Sequence, residues 1–186
     1  MIRRALLLGL LAAPALAQAP RPQGAGLNEA LDALFALLKQ APDEASAAQV
    51  EARIWQAWAL SSTPAVQLLM RRGARNIEAR ALPDALEDFD AVIALAPDMA
   101  EGWNKRATVY YLMGDDANSL RDIQETLARE KRHFGALSGL SLIQERQGDL
   151  KAALASWEAA LEIHPKMANG DNRLRELRRR ALGEAL

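Results

Sequence analysis

His133 and His164 are the residues of this chain best suited to acid–base or metal chemistry. An imidazole titrates near neutrality and ligates zinc, but a metal site needs several such donors converging. Neither histidine has another within helical reach, so both read as ordinary surface or boundary residues. The stretch Gly135-Ala136-Leu137-Ser138-Gly139 sets a serine among glycines. It lacks the Gly-x-Ser-x-Gly order and falls inside a predicted helix, away from any strand-to-helix elbow that would expose a nucleophile. Small residues permitting close contact is the reading that fits. Acidic pairs such as Asp88/Asp90 and Asp115/Asp116 are common on solvated helix faces and at N-caps, and no second group marks them as an acid–base couple. No phosphate-cradling glycine loop occurs. The chain reads as one without catalytic residues, metal or cofactor.

Two further clusters invite a binding role. Trp55 and Trp58 would make a sugar-stacking platform if exposed, which would suit a peptidoglycan-associated glycan binder. Arg173, Arg175, Arg178, Arg179 and Arg180 crowd the C-terminal stretch. An anionic surface would attract them, but late arginines also complement a helix dipole. Nucleic-acid recognition further wants interleaved aromatics or a wider basic surface, so no nucleic-acid partner is expected.

The elements that must position these groups follow from composition and pattern. The chain has 186 residues, 23 Lys+Arg against 24 Asp+Glu, and no cysteine. Half of its residues are hydrophobic, enough to fold one domain or a short repeat array. Without cysteine there is no disulfide framework and no thiolate metal site.

Residues 1–17, MIRRALLLGLLAAPALA, combine Arg3-Arg4, an apolar run, Pro14 and a final Ala-Leu-Ala. This is the pattern of a cleaved secretory signal. The run falls short of the about 20 apolar residues that span a bilayer, so no stable membrane anchor is expected after cleavage. Residues 18–26 are rich in Pro and Gly and read as a flexible leader.

Beyond residue 65 a period of 34 appears. Ala85, Ser119 and Ala153 form one column of small residues; Phe89, Ile123 and Trp157 form a column of large ones. Val92, Thr126 and Ala160 stay in phase, as do Leu69, Trp103 and Leu137, and Gly73, Ala107 and Ser141. Pro97, Lys131 and Pro165 mark the unit ends. Each unit reads as two amphipathic helices. Trp103, Ala107 and Tyr110 recur at helical spacing, Gly114-Asp115-Asp116 breaks the chain, and Leu120, Ile123 and Leu127 line the return helix. Thr63 and Pro64 supply an N-cap and a first helical residue.

On these residues the chain resembles the tetratricopeptide repeat family, whose 34-residue unit carries Trp, Leu-Gly, Tyr, Ala, Phe and Pro at set positions. AEGWNKRATVYYLMGDDANSL, QERQGDLKAALASWEAALEIHP and LPDALEDFDAVIALAPDMAEGW follow that pattern. Arg72 and Arg106 stand where the family often has Leu, and Lys131 where it often has Pro. An arginine there can bury its stem while its head finds a carboxylate.

The resemblance implies an all-α fold, a right-handed α-solenoid of stacked helical hairpins, with units at 66–99, 100–133 and 134–167. Residues 27–65 then form a divergent fourth repeat or an N-terminal helical cap. Carried backwards, the register sets Trp55 and Trp58 in the columns of Phe89 and Val92, which favours their burial. Residues 168–186 form a capping helix and tail.

The resemblance also implies that the first helix of each unit lines a concave groove. Its free side carries Met70, Arg71, Ala74 and Ile77, then Asn104, Lys105, Thr108 and Tyr111, then Ser138, Leu142 and Arg146. That mixture suits an extended or helical peptide bearing acidic groups or a free carboxylate. The expected function is a non-enzymatic interaction module in the bacterial periplasm, with a protein or peptide partner. A glycan-binding envelope accessory is the alternative.

Overall fold

Short polar caps and breakers set the helix boundaries. Thr63 caps the helix Pro64–Glu78 through its hydroxyl, and Pro64 opens that helix where its missing N–H costs nothing. Asp115 and Asp149 cap the helices Asp116–Arg129 and Leu150–Ile163 with their carboxylates. Gly114 and Gly148 take the left-handed conformation that ends or follows the preceding helix.

A computed structural model describes residues 23–183. The expected signal at 1–17 and most of the expected leader lie outside the described residues. The nine described helices are α1 (Gln23–Gln40), α2 (Glu44–Ala59), α3 (Pro64–Glu78), α4 (Leu82–Leu95), α5 (Ala100–Met113), α6 (Asp116–Arg129), α7 (Phe134–Arg146), α8 (Leu150–Ile163) and α9 (Gly170–Leu182). Helix α1 begins at Gln23, inside the stretch read as leader. No described helix is long and apolar enough to cross a membrane.

Helices α3–α4, α5–α6 and α7–α8 form three antiparallel hairpins stacked in chain order, and α9 closes the last against α8. The columns act as packing devices. Ala85, Ser119 and Ala153 are buried where the two helices of each hairpin cross. A Cβ added at Gly73 would lie 2.6 Å from Phe89 Cζ, so only glycine admits that ring. In the next two units the hydroxyls of Ser119 and Ser141 each donate across the crossing, to the carbonyls of Ala107 and Ala153, at 2.8 Å.

The two irregular arginines find their carboxylates across the same crossings. Arg72 Nε donates to Asp88 Oδ1 at 2.6 Å. Arg106 grips Asp122 with two bonds of 2.7 and 2.8 Å and reaches Asp90 at 2.7 Å. The first helices α3, α5 and α7 also lie against one another, which places them on the inner side of the stack.

Helices α1 and α2 do not extend the stack as a fourth repeat ahead of α3. They form a hairpin that packs on α5 and α8. Leu31, Leu34, Phe35, Leu38, Ala47 and Ile54 form a core of their own, joined at one side by Phe134. The backward register for Trp55 and Trp58 is therefore arithmetic without a matching position in space.

Candidate functional site

Between the facing sides of α5 and α7 lies a cavity of about 200 Å³. Asn104, Thr108 and Tyr111 line it from α5, and Ser138 and Leu142 from α7, over a floor of Ala107, Ile123 and Ile143. The hydroxyls of Thr108 and Ser138 donate to carbonyls one turn back, at 3.0 and 2.8 Å, which leaves their oxygen lone pairs as acceptors. Leu142 is 37% exposed and forms an apolar lip. Arg146 lies 4.2 Å over the Tyr111 ring, with its Nε donating to Asp116 at 2.9 Å.

A second cavity, about 190 Å³ and mostly apolar, lies between α3, α5 and the end of α2. Met70, Arg71, Ala74 and Lys105 border it together with Ala59 and Leu60. Arg71 is exposed and makes no ion pair among the described residues. Ile77 is half-buried and packs against the core cluster around Met70 and Phe89; it borders neither of these two cavities.

Lys105 and Arg146, expected on the groove side of their helices, both have carboxylate partners. Lys105 Nζ lies 3.2 Å from Glu101 and 5.5 Å over the Trp55 ring. Glu101 is buried among donors. Burial alone would raise its pKa, but the hydrogen bond from His133, the Lys105 charge and the Asn104 amide hold it below the ordinary 4.5. Among the described residues no group of three or more His, Asp or Glu could hold a metal ion.

Both histidines sit at unit boundaries as expected, yet neither is on the surface; each is fully buried. His133 Nδ1 accepts the Ala136 N–H at 3.1 Å, so its proton sits on Nε2 and points at Glu101 Oε2, 3.0 Å away. His164 Nε2 lies 3.0 Å from Glu51 Oε2. That contact holds the Glu51 carboxyl below its ordinary range, with a further bond from the Trp55 indole.

Trp58, 4% exposed, stacks on His133 with centroids 4.2 Å apart. Half-buried Trp55 abuts Phe134 and His133 edge-on. The two indoles thus serve packing instead of a glycan platform. The C-terminal arginines are engaged as well. Arg173 and Arg180 both meet Glu145, Arg178 meets Glu158, and Arg179 meets Glu176.

Sequence reasoning missed Glu101, His133, Gly135 and Trp55 as neighbours of the groove. The one available signal was Gly135, which sits at the register position that Glu101 holds in the preceding unit.

No family model matches the chain. A TPR repeat-containing protein of Rhizobium etli is 40% identical over 138 residues, covering 74% of this chain and 68% of that protein. The chain belongs to the tetratricopeptide repeat family. Solved structures agree at the level of fold. The first TPR of Spaghetti (RPAP3), bound to the HSP90 peptide SRMEEVD, aligns with a TM-score of 0.61 at 19% identity, over 66% of this chain and 97% of that one. The TPR2B domain of yeast Sti1, in a complex with pHsp70, gives 0.58 at 17%, over 66% and 100%. MamA gives 0.56 at 15% identity over 82% and 83% of the two chains. Tetratricopeptide folds generally serve as non-enzymatic scaffolds for protein–protein interaction.

Proposed function

We propose that this chain is an exported scaffold whose inner face binds an extended peptide, seated in the cavity between α5 and α7. The observation that carries this reading is the cavity itself. Five side chains from two adjacent first helices converge on it, apolar at Tyr111 and Leu142 and hydrogen-bonding at Asn104, Thr108 and Ser138. A pocket of this make-up holds one small apolar side chain while its polar groups read the peptide backbone.

The HSP90 peptide bound to the first TPR of Spaghetti and the pHsp70 complex of Sti1 TPR2B support a protein partner. Because Lys105 and Arg146 are already paired, the site relies more on shape and hydrogen bonding than on a free cationic clamp. Arg71, at the second cavity, is the group left to attract an acidic flank. The signal-like residues 1–17 support the periplasm as its compartment. N-terminal sequencing of the exported protein tests that: cleavage after Ala17 supports it, and an intact Met1 rules it out.

The binding test is selection of displayed peptides on the wild-type protein. A Ser138→Trp variant, which fills the cavity, should lose the selected peptides while keeping wild-type helicity. Unchanged capture by that variant refutes the site.

A further inference from the structure

Within the stack, the first helix of a repeat is covered by the second helix of the hairpin before it. On α5 the covering groups come from α4 and the loop after it. Arg106 Nη1 donates to Asp90 at 2.7 Å, and the Trp103 indole donates to the Pro97 carbonyl at 2.9 Å. A Cβ at Gly102 would lie 2.7 Å from Val92 Cγ1, so the two helices touch there. One period back, the same stripe on α3 reads Leu68, Leu69 and Arg72.

No hairpin covers that stripe, because α1–α2 packs on α5 and α8. Arg72 gives its Nε and Nη2 to Asp88, as Arg106 gives the same atoms to Asp122, but its Nη1 meets no carboxylate among the described residues. The Arg72 side chain is 59% exposed against 18% for Arg106, and Leu68 is 55% exposed. The register position that would supply the missing acid is 56, a glutamine on α2. An ordinary repeat would not fit here either. Gly102, Ala136 and Gly170 keep their column small, whereas Leu68 stands in it as a knob. Whatever covers α3 must offer a small residue opposite Leu68 and, one turn away, an acid opposite Arg72.

The outer face of α1 has that pattern. Glu29, Ala33, Ala36 and Leu37 are all exposed and share a face at i, i+4, i+7 and i+8. Laid antiparallel on α3, as α4 lies on α5, the stripe sets Glu29 against Arg72, Ala33 against Leu68 and Leu37 against Ala65. Each large residue then meets a small one, which lets the two faces interdigitate. Within one molecule α1 pairs with α2 and packs on α8, so a second molecule has to supply this contact.

We propose that the chain associates with a second copy of itself, the outer face of α1 on one molecule docking on the open stripe of α3 on the next. The contact joins two different surfaces and so adds copies head to tail. It spans about two helical turns on each side, which places it among the weak, transient interfaces below about 1,200 Å². It lies apart from the inner face and does not rest on the peptide reading.

Sedimentation equilibrium of the full chain between about 10 µM and 1 mM covers the affinities that a contact of this size gives. The average mass should rise with concentration. Leu68→Glu disables the α3 stripe, and Ala33→Glu/Leu37→Glu disables the α1 face. All three positions are exposed, so helicity and melting should stay at wild type. Each variant alone should associate at least about tenfold more weakly. An equimolar mixture of the two should recover a one-to-one complex, because one copy keeps an intact α1 and the other an intact α3.

A wild type that stays monomeric up to about 1 mM overturns the proposal. So does self-association that either variant leaves unchanged, since it then runs through other residues. Loss in both variants without recovery on mixing overturns it as well.

Discussion

Removing Asp122 probes how the irregular Arg106 is tolerated at a helix crossing. In the folded chain Asp122 accepts two bonds from that guanidinium, and both side chains are largely withdrawn from water. Hydrogen bonds to charged groups contribute about 1.5–3 kcal/mol each, so two would give about 3–6 kcal/mol if nothing compensated. Asp90, half exposed on the other side of Arg106, remains as a partner. Asp122→Ala is therefore expected to cost about 2–4 kcal/mol, a large share of the about 5–15 kcal/mol typical of whole domains.

Arg106→Leu/Asp122→Ala should recover to within about 1 kcal/mol of wild type. A buried pair replaced by apolar groups is close to neutral, whereas a stranded partner is not. Urea unfolding of the two single variants and the double variant closes the cycle. A double variant as unstable as the sum of the singles would refute the reasoning, as would an Asp122→Ala loss below about 0.5 kcal/mol, the scale of an ordinary surface substitution.

Two glycines should respond oppositely to alanine. Gly73→Ala drives a methyl into buried Phe89 and should cost about 1–3 kcal/mol. Gly139→Ala meets only Ile123 Cδ1, at 3.5 Å, and should gain about 0.5–1 kcal/mol from helix propensity; thermal melts read both. Acid should weaken the fold through Glu51, Glu101 and Glu145, each held below the ordinary 4.5. At Glu145 burial pushes upward, but Arg173 and Arg180 outweigh it. Folded pKa values below the unfolded one mean that the unfolded chain binds more protons. The stability these carboxylates contribute is therefore complete above about pH 4.5 and lost as pH falls through their folded values. Urea midpoints should hold from pH 7 to 5.5 and drop below 4.5, and a flat profile down to pH 3 contradicts this.

The stack was legible because periodicity is a local property repeated. Gly73 and Phe89 each stood in a periodic column, although their contact emerged only in three dimensions, and the irregular arginines announced carboxylates, found at Asp88 and Asp122. The seat of α2 was not legible. Glu51 and His164 lie 113 residues apart, and nothing periodic connects them. The same gap hid the burial of both histidines, which the stack alone would leave at a boundary and which α2 covers. Lys105 and Arg146 were readable as inner-face cations. Their neutralisation was half-readable: Glu101 sits one turn before Lys105, whereas Asp116 reaches Arg146 only through the packing of adjacent hairpins.

The most direct measurement is an NMR titration of the labelled protein with a peptide that wild type captures and Ser138→Trp does not. Amide shifts should concentrate at Thr108, Tyr111, Ser138 and Leu142, on the facing sides of α5 and α7. Shifts confined to α4, α6 and α8 would place the partner on the outer surface and contradict the account.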